Sequence, residues 1–214
     1  MADLTAKVLD MVKQKTPRRA VRIKAEKFGG PEASPRVPFD LRSLLKTILD
    51  QYSLPLDGDH GVGHWARVLE NGLRLAEITG AHVEVVTLFA VFHDSRRLNE
   101  ITDPNHGPRA AEFAAELRGT AFDLPDNEFR LLHRACAGHT HERTHPAITI
   151  QTCWDSDRLD LGRVGVAPHP IRLCTAAAKS PEMLRWADGR ACFRLVPPFV
   201  KEQWQIDLEK EAAS

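Results

Sequence analysis

The stretch Val85-Val86-Thr87-Leu88-Phe89-Ala90-Val91-Phe92-His93-Asp94 decides the fold. Its first eight residues are apolar but for one threonine, and an imidazole and a carboxylate close it. A helix over about 82–94 would be apolar on nearly every side, which only a central position among other helices satisfies. Val83–Val86 and Ile148–Ile150 are β-branched and suit a strand locally, but no alternating partner segments exist to pair with them. The apolar run is also far short of the ~20 residues that span a bilayer.

Outward from that helix the pattern stays helical. Leu41, Leu44, Leu45, Ile48 and Leu49 follow helix spacing. Leu54 to Asp59 reads as a turn, and a helix from about Gly63 to Thr79 is stopped by Gly80. Val68, Leu69, Leu73, Leu75 and Ala76 form its apolar face. Further helices are expected at about 107–118, 127–138 with Asp126 as cap, 148–162, 168–179 and 199–212. The expected fold class is all-α, a helical bundle over residues 39–214. Residues 1–38 read as a basic arm and a Gly/Pro linker, with eight Lys/Arg against three Asp/Glu in the first 27 positions.

The 214 residues carry 29 Lys+Arg and 29 Asp+Glu, so no overall basic excess points to nucleic acid or to a membrane surface. Four cysteines, at 136, 153, 174 and 192, form no CxxC pair and no disulfide framework. The first residues lack the apolar core of a secretory signal. A cytoplasmic protein with reduced thiols is therefore expected. The unusual feature is ten histidines against one tyrosine.

His93-Asp94 at the end of an apolar helix is costly unless the carboxylate meets a cation or a metal. His64 lies upstream in HGVGHWARV, and Asp157 downstream in WDSDRLDL. Two imidazoles and two carboxylates from three helices make a mixed nitrogen/oxygen shell. It suits a divalent ion such as Mn, Fe, Co, Ni, Mg or Zn.

These motifs resemble those of the HD-domain metal-dependent phosphohydrolases. The likeness rests on HWARV, LFAVFHDSRR, HGPRAAEF and DSDRLDLGRVG in that order, over about residues 55–165. The resemblance implies a helical bundle around a metal site made of His64, His93, Asp94 and Asp157. It implies hydrolysis of a small phosphorylated substrate, such as a nucleotide, by metal-activated water. Asp157, directly before Arg-Leu, matches the family pattern better than Asp155 does. A phosphodiesterase and a non-enzymatic metal- or nucleotide-binding module are the alternatives.

Substrate phosphate calls for cations, and Arg96 and Arg97 follow the doublet, one of them expected to turn to solvent. Arg109 is the next substrate-binding candidate, and Arg158 either joins it or pairs with a carboxylate such as Asp160. His139 falls where related domains place a pocket histidine, to bind phosphate or a second metal. His106 opens HGPRAAEF and is put forward with Asp94 as catalytic, or else caps or packs its helix. His60, four before His64, and Glu100 are further candidates for the site. His82, His133, His141, His145 and His169 have no motif support.

Overall fold

Helix α3, Val83–Phe92, is buried along its length from Val85 onward and packs against four other helices. The computed structural model describes residues 39–208, so the basic arm lies outside the described residues. In chain order α1 is Leu41–Leu49, α2 Val62–Thr79, α4 His106–Leu117, α5 Asp126–Gly138, α6 Ile148–Arg158, α7 Pro181–Cys192 and α8 Phe199–Glu202. Short 3-10 turns occupy Leu161–Val164 and Pro170–Arg172. Among the described residues there is no strand, only an isolated bridge between Arg118 and Phe122. The described fold is all-α, and no helix in it is long and apolar enough to cross a membrane.

Asp40 starts α1: its Oδ1 accepts from the Arg42 N–H at 3.0 Å and its Oδ2 from Ser43 Oγ at 2.7 Å. Gly80 ends α2 at φ 72°, a left-handed position that glycine adopts without strain. Helix α2 lies across α3 and α6, and α4 across α5. Trp154 of α6 donates through Nε1 to the Ala135 carbonyl of α5 at 2.9 Å. A second cluster, Leu75, Leu159, Leu173, Ala178, Met183 and Ala187, docks the C-terminal part of the chain onto α2.

Two expected helices are revised. Residues 168–179 form no α-helix, because Pro168 and Pro170 leave room only for a 3-10 turn. The helix comes later, over Pro181–Cys192, where Ser180 Oγ accepts from the Met183 N–H at 3.1 Å. The helix expected at 199–212 is the four residues of α8, as far as the described chain reaches. Asp126 is also not a cap. It is the first residue of α5, and its carboxylate meets Arg118 at 2.6 Å.

Candidate metal centre

The C-terminal end of α3, the first turns of α2 and α4, and the last turns of α5 and α6 bring their polar residues to one place. His64 is on α2, His93 and Asp94 follow α3, His106 opens α4, His139 follows α5 and Asp157 is near the end of α6. His64, His93, Asp94, His106 and His139 are all at most 5% exposed. Gly107 makes the approach of α4 to α5 possible. A Cβ there would sit 2.6 Å from the Cys136 carbonyl oxygen and 3.2 Å from the His139 ring.

The hydrogen bonds at Nδ1 settle what each Nε2 can do. His93 Nδ1 faces the Phe89 and Ala90 carbonyls, both at 3.2 Å. His106 Nδ1 faces the Asp103 carbonyl at 2.5 Å, and His139 Nδ1 the Cys136 carbonyl at 2.7 Å. His64 Nδ1 faces Asp160 Oδ2 at 2.7 Å. These partners only accept, so each Nδ1 carries a proton, which leaves Nε2 as the nitrogen that can offer a lone pair to a metal. The Nε2 atoms then converge in pairs: His64 and His93 at 3.1 Å, His106 and His139 at 2.8 Å.

Asp94 stands between the pairs. Its Oδ2 lies 3.5 Å from His64 Nε2 and 3.7 Å from His93 Nε2. Its Oδ1 lies 3.0 Å from His106 Nε2 and 3.7 Å from His139 Nε2. Asp157 Oδ1 adds to the first pair, at 3.4 Å from His64 and 3.8 Å from His93. Two three-residue groups, His64/His93/Asp94 and Asp94/His106/His139, thus have the spacing of metal sites. Lone pairs packed against each other and against carboxylates repel unless a cation lies among them. The donor set of imidazole nitrogen and carboxylate oxygen fits a divalent ion.

Electrostatics follow from the same packing. Burial holds His93 down to about 3, against the pull of Asp94 and Asp157. Burial would raise Asp94, but His93, His106, His139 and His64 outweigh it and hold the carboxyl well below its usual range. Burial also opposes ionisation of Asp157, yet His93, His64 and Arg163 bring it down to about 2. His139 goes the other way: burial disfavours its charge, but Asp94 beside it raises it above the usual histidine value.

The structure sorts the cations. Arg97 is buried and places Nη1 3.7 Å from Asp94 Oδ1 and 3.4 Å from the His106 ring nitrogens. Arg96 turns outward, donating to the Gln51 carbonyl at 3.1 Å and covering the Phe113 ring. Arg109 is engaged by the Arg96 carbonyl and by Asp103, so it pins the turn after the doublet. Arg158 points to the carbonyls of Glu142, Arg143 and Arg172 and does not pair with Asp160.

Asp155, unlike Asp157, serves the fold. It accepts from the N–H groups of Cys174 and Thr175 at 2.6 and 2.8 Å and from Thr175 Oγ1 at 2.8 Å. His60 is buried beside His64, ring centroids 6.3 Å apart, and its Nδ1 lies 2.5 Å from Glu100 Oε2. His82, His133, His141, His145 and His169 lie outside the cluster. His141 bonds the Pro104 carbonyl, for example, and His169 caps a 3-10 turn.

Sequence reasoning missed two residues, Asp160 as the partner of His64 and Arg67. Arg67 Nε and Nη2 reach the two oxygens of Asp160 at 2.7 and 3.0 Å, which orients the carboxylate under His64. The signal was a spacing of three, from His64 to Arg67 and from Asp157 to Asp160, which returns the chain to the same side of a helix or turn. No family model, no curated protein and no solved structure matches this chain.

Proposed function

We propose that this chain is a metal-dependent phosphohydrolase of the HD type with two adjacent divalent-ion sites. The observation that carries the reading is the convergence of four buried Nε2 lone pairs on the two oxygens of Asp94. His64, His93, Asp94 and Asp157 would hold one ion, and Asp94, His106 and His139 the other. His106 and His139 are thereby read as ligands. A divalent ion bound there supplies a Lewis acid for a phosphoryl oxygen and lowers the pKa of a water.

The chain's own residues do the rest. Asp160 and the carbonyls of Phe89, Ala90, Asp103 and Cys136 hold the rings in place. Arg97, with its guanidinium against Asp94 and His106, is the cation nearest to an incoming phosphate. His60 is oriented by Glu100 at Nδ1, which leaves its Nε2 as the nitrogen free to take up a proton.

The test is metal content of the purified chain, then a panel of phosphomonoesters and phosphodiesters with added Mn, Co, Ni, Mg, Fe or Zn. Two equivalents of metal and turnover of one substrate class are expected. His60→Gln should keep both ions and lose about 100-fold in turnover. Full metal content with no turnover on any substrate would replace the hydrolase with a binding module.

A further inference from the structure

The turn that leaves α5 carries a second doublet beside the centre, His139-Thr140. Thr140 Oγ1 lies 3.3 Å from His106 Nε2 and 3.3 Å from His139 Nε2. The two rings are the hydrogen-bond partners of this hydroxyl among the described residues. One hydroxyl proton serves only one of two facing nitrogens at a time, so a hydrogen bond alone does not account for both contacts. Asp94, His106 and His139 are buried, whereas Thr140 is exposed, so the hydroxyl closes this group on its solvent side.

The turn is held on both sides of Thr140. The Gly138 carbonyl accepts from the His141 and Glu142 N–H groups at 3.2 and 3.0 Å. His141 Nε2 donates to the Pro104 carbonyl at 2.9 Å, which ties the turn to the segment that leads into α4 and His106. Glu142 pairs with Arg134, and its carbonyl accepts from Arg158. The spacing that results is that of one coordination shell. His106 Nε2 and His139 Nε2 are 2.8 Å apart, and Asp94 Oδ1 lies 3.0 and 3.7 Å from them. Thr140 Oγ1, at 3.3 Å from both nitrogens, falls in the same range. Ligands at right angles around an octahedral ion stand about 3 Å apart when their bonds are about 2.1 Å long.

We propose that Thr140 Oγ1 is a fourth protein ligand of the ion at Asp94, His106 and His139. The proposal rests on the two-ion reading above, which counts three ligands there. A hydroxyl is a neutral, hard oxygen donor of the kind that Mg and Mn accept readily. Zn is satisfied by three nitrogen and carboxylate ligands and one water, so it needs the hydroxyl less. Thr140 therefore biases this site toward Mn or Mg over Zn. The ion at His64, His93, Asp94 and Asp157 does not depend on it.

The full chain, stripped of metal with EDTA and freed of the chelator, is titrated with Mn and separately with Zn by calorimetry, as wild type, Thr140→Val and Thr140→Ser. Wild type is expected to take up two equivalents. Thr140→Val keeps the shape and removes the hydroxyl at an exposed position. It should weaken the second Mn equivalent about tenfold or more and change Zn by less than about threefold, and Thr140→Ser should restore Mn. The visible absorption of Co at the second equivalent should change in Thr140→Val and return in Thr140→Ser, which a residue that only packs beside the rings would not bring about. An unchanged Co spectrum in Thr140→Val, or an unchanged Mn affinity, overturns the ligand. Equal losses of Mn and Zn overturn the preference given to it. Wild type that binds only one equivalent overturns the two-ion reading and the ligand with it. Two equivalents with no substrate turned over count against the hydrolase alone, because the ligand is read from metal uptake.

Discussion

Asp94 divides its two oxygens between two pairs of histidines, so losing it should cost more than losing any one ring. Asp94→Ala is expected to abolish stoichiometric metal, and His139→Gln to retain the ion at His64/His93 alone. Elemental analysis checks both, and full metal in Asp94→Ala would sink the centre. The two carboxylates of α6 should part in the same way. Asp157→Asn weakens metal uptake because it removes a charge facing His64 and His93. Asp155→Asn loses acceptors for the Cys174–Thr175 turn and should cost about 1–3 kcal/mol in urea unfolding, with metal affinity little changed. The titration signs differ between His93 and His139. His93 in the folded chain is held at about 3, below its unfolded value, so the unfolded chain takes up the proton first. Stability of the chelated protein should fall as pH drops from about 6.5 toward about 3. His139 is raised, so its contribution is present below the unfolded pKa and is lost as pH rises through the folded one. Thermal melts of the chelated chain against pH, with His93→Gln flattening the acid limb and His139→Gln the other, check both signs.

At the scale of elements, α3 is both the core and the support of the centre. Phe89 is fully buried and stacks on His93, ring centroids 4.9 Å apart at 23°. Phe89→Ala should cost about 3–5 kcal/mol and loosen metal binding together, read by unfolding and by metal titration. The α2–α3 crossing has no slack: a Cβ at Gly72 would meet Val86 Cγ1 at 2.5 Å. Gly72→Ala should destabilise by about 1–3 kcal/mol, since a methyl group has nowhere to go in a packed crossing. Helix α3 was legible because its apolar run allows no other place for it. Helix α7 was not, because its buried stripe is only Met183, Ala187 and Ala191, and two small residues give little hydrophobic contrast. Its start was written in Ser180-Pro181-Glu182, a cap and a first-turn proline followed by an acid.

For the molecule as a whole, residues 1–38, which read from the sequence as an arm and a linker, are expected to be dispensable. A chain beginning at Pro38 should fold and take up the same equivalents of metal, because every residue of the centre comes later in the sequence. An insoluble or metal-free product would place the arm in the fold. The sequence by itself determined the all-α class, the central helix and the His-Asp doublet at its end. Those depend on local periodicity and on the cost of putting charge beside an apolar run, both of which are properties of consecutive residues. Only the tertiary structure decided which histidines meet. His106 and His139 are 33 positions apart, and His64 and Asp160 are 96 apart. Their encounter depends on how α2, α4, α5 and α6 cross α3, and side-chain packing sets those crossings. The same geometry chose Arg97 over Arg96, because the turn after α3 sends one guanidinium inward to Asp94 and the other out over Phe113.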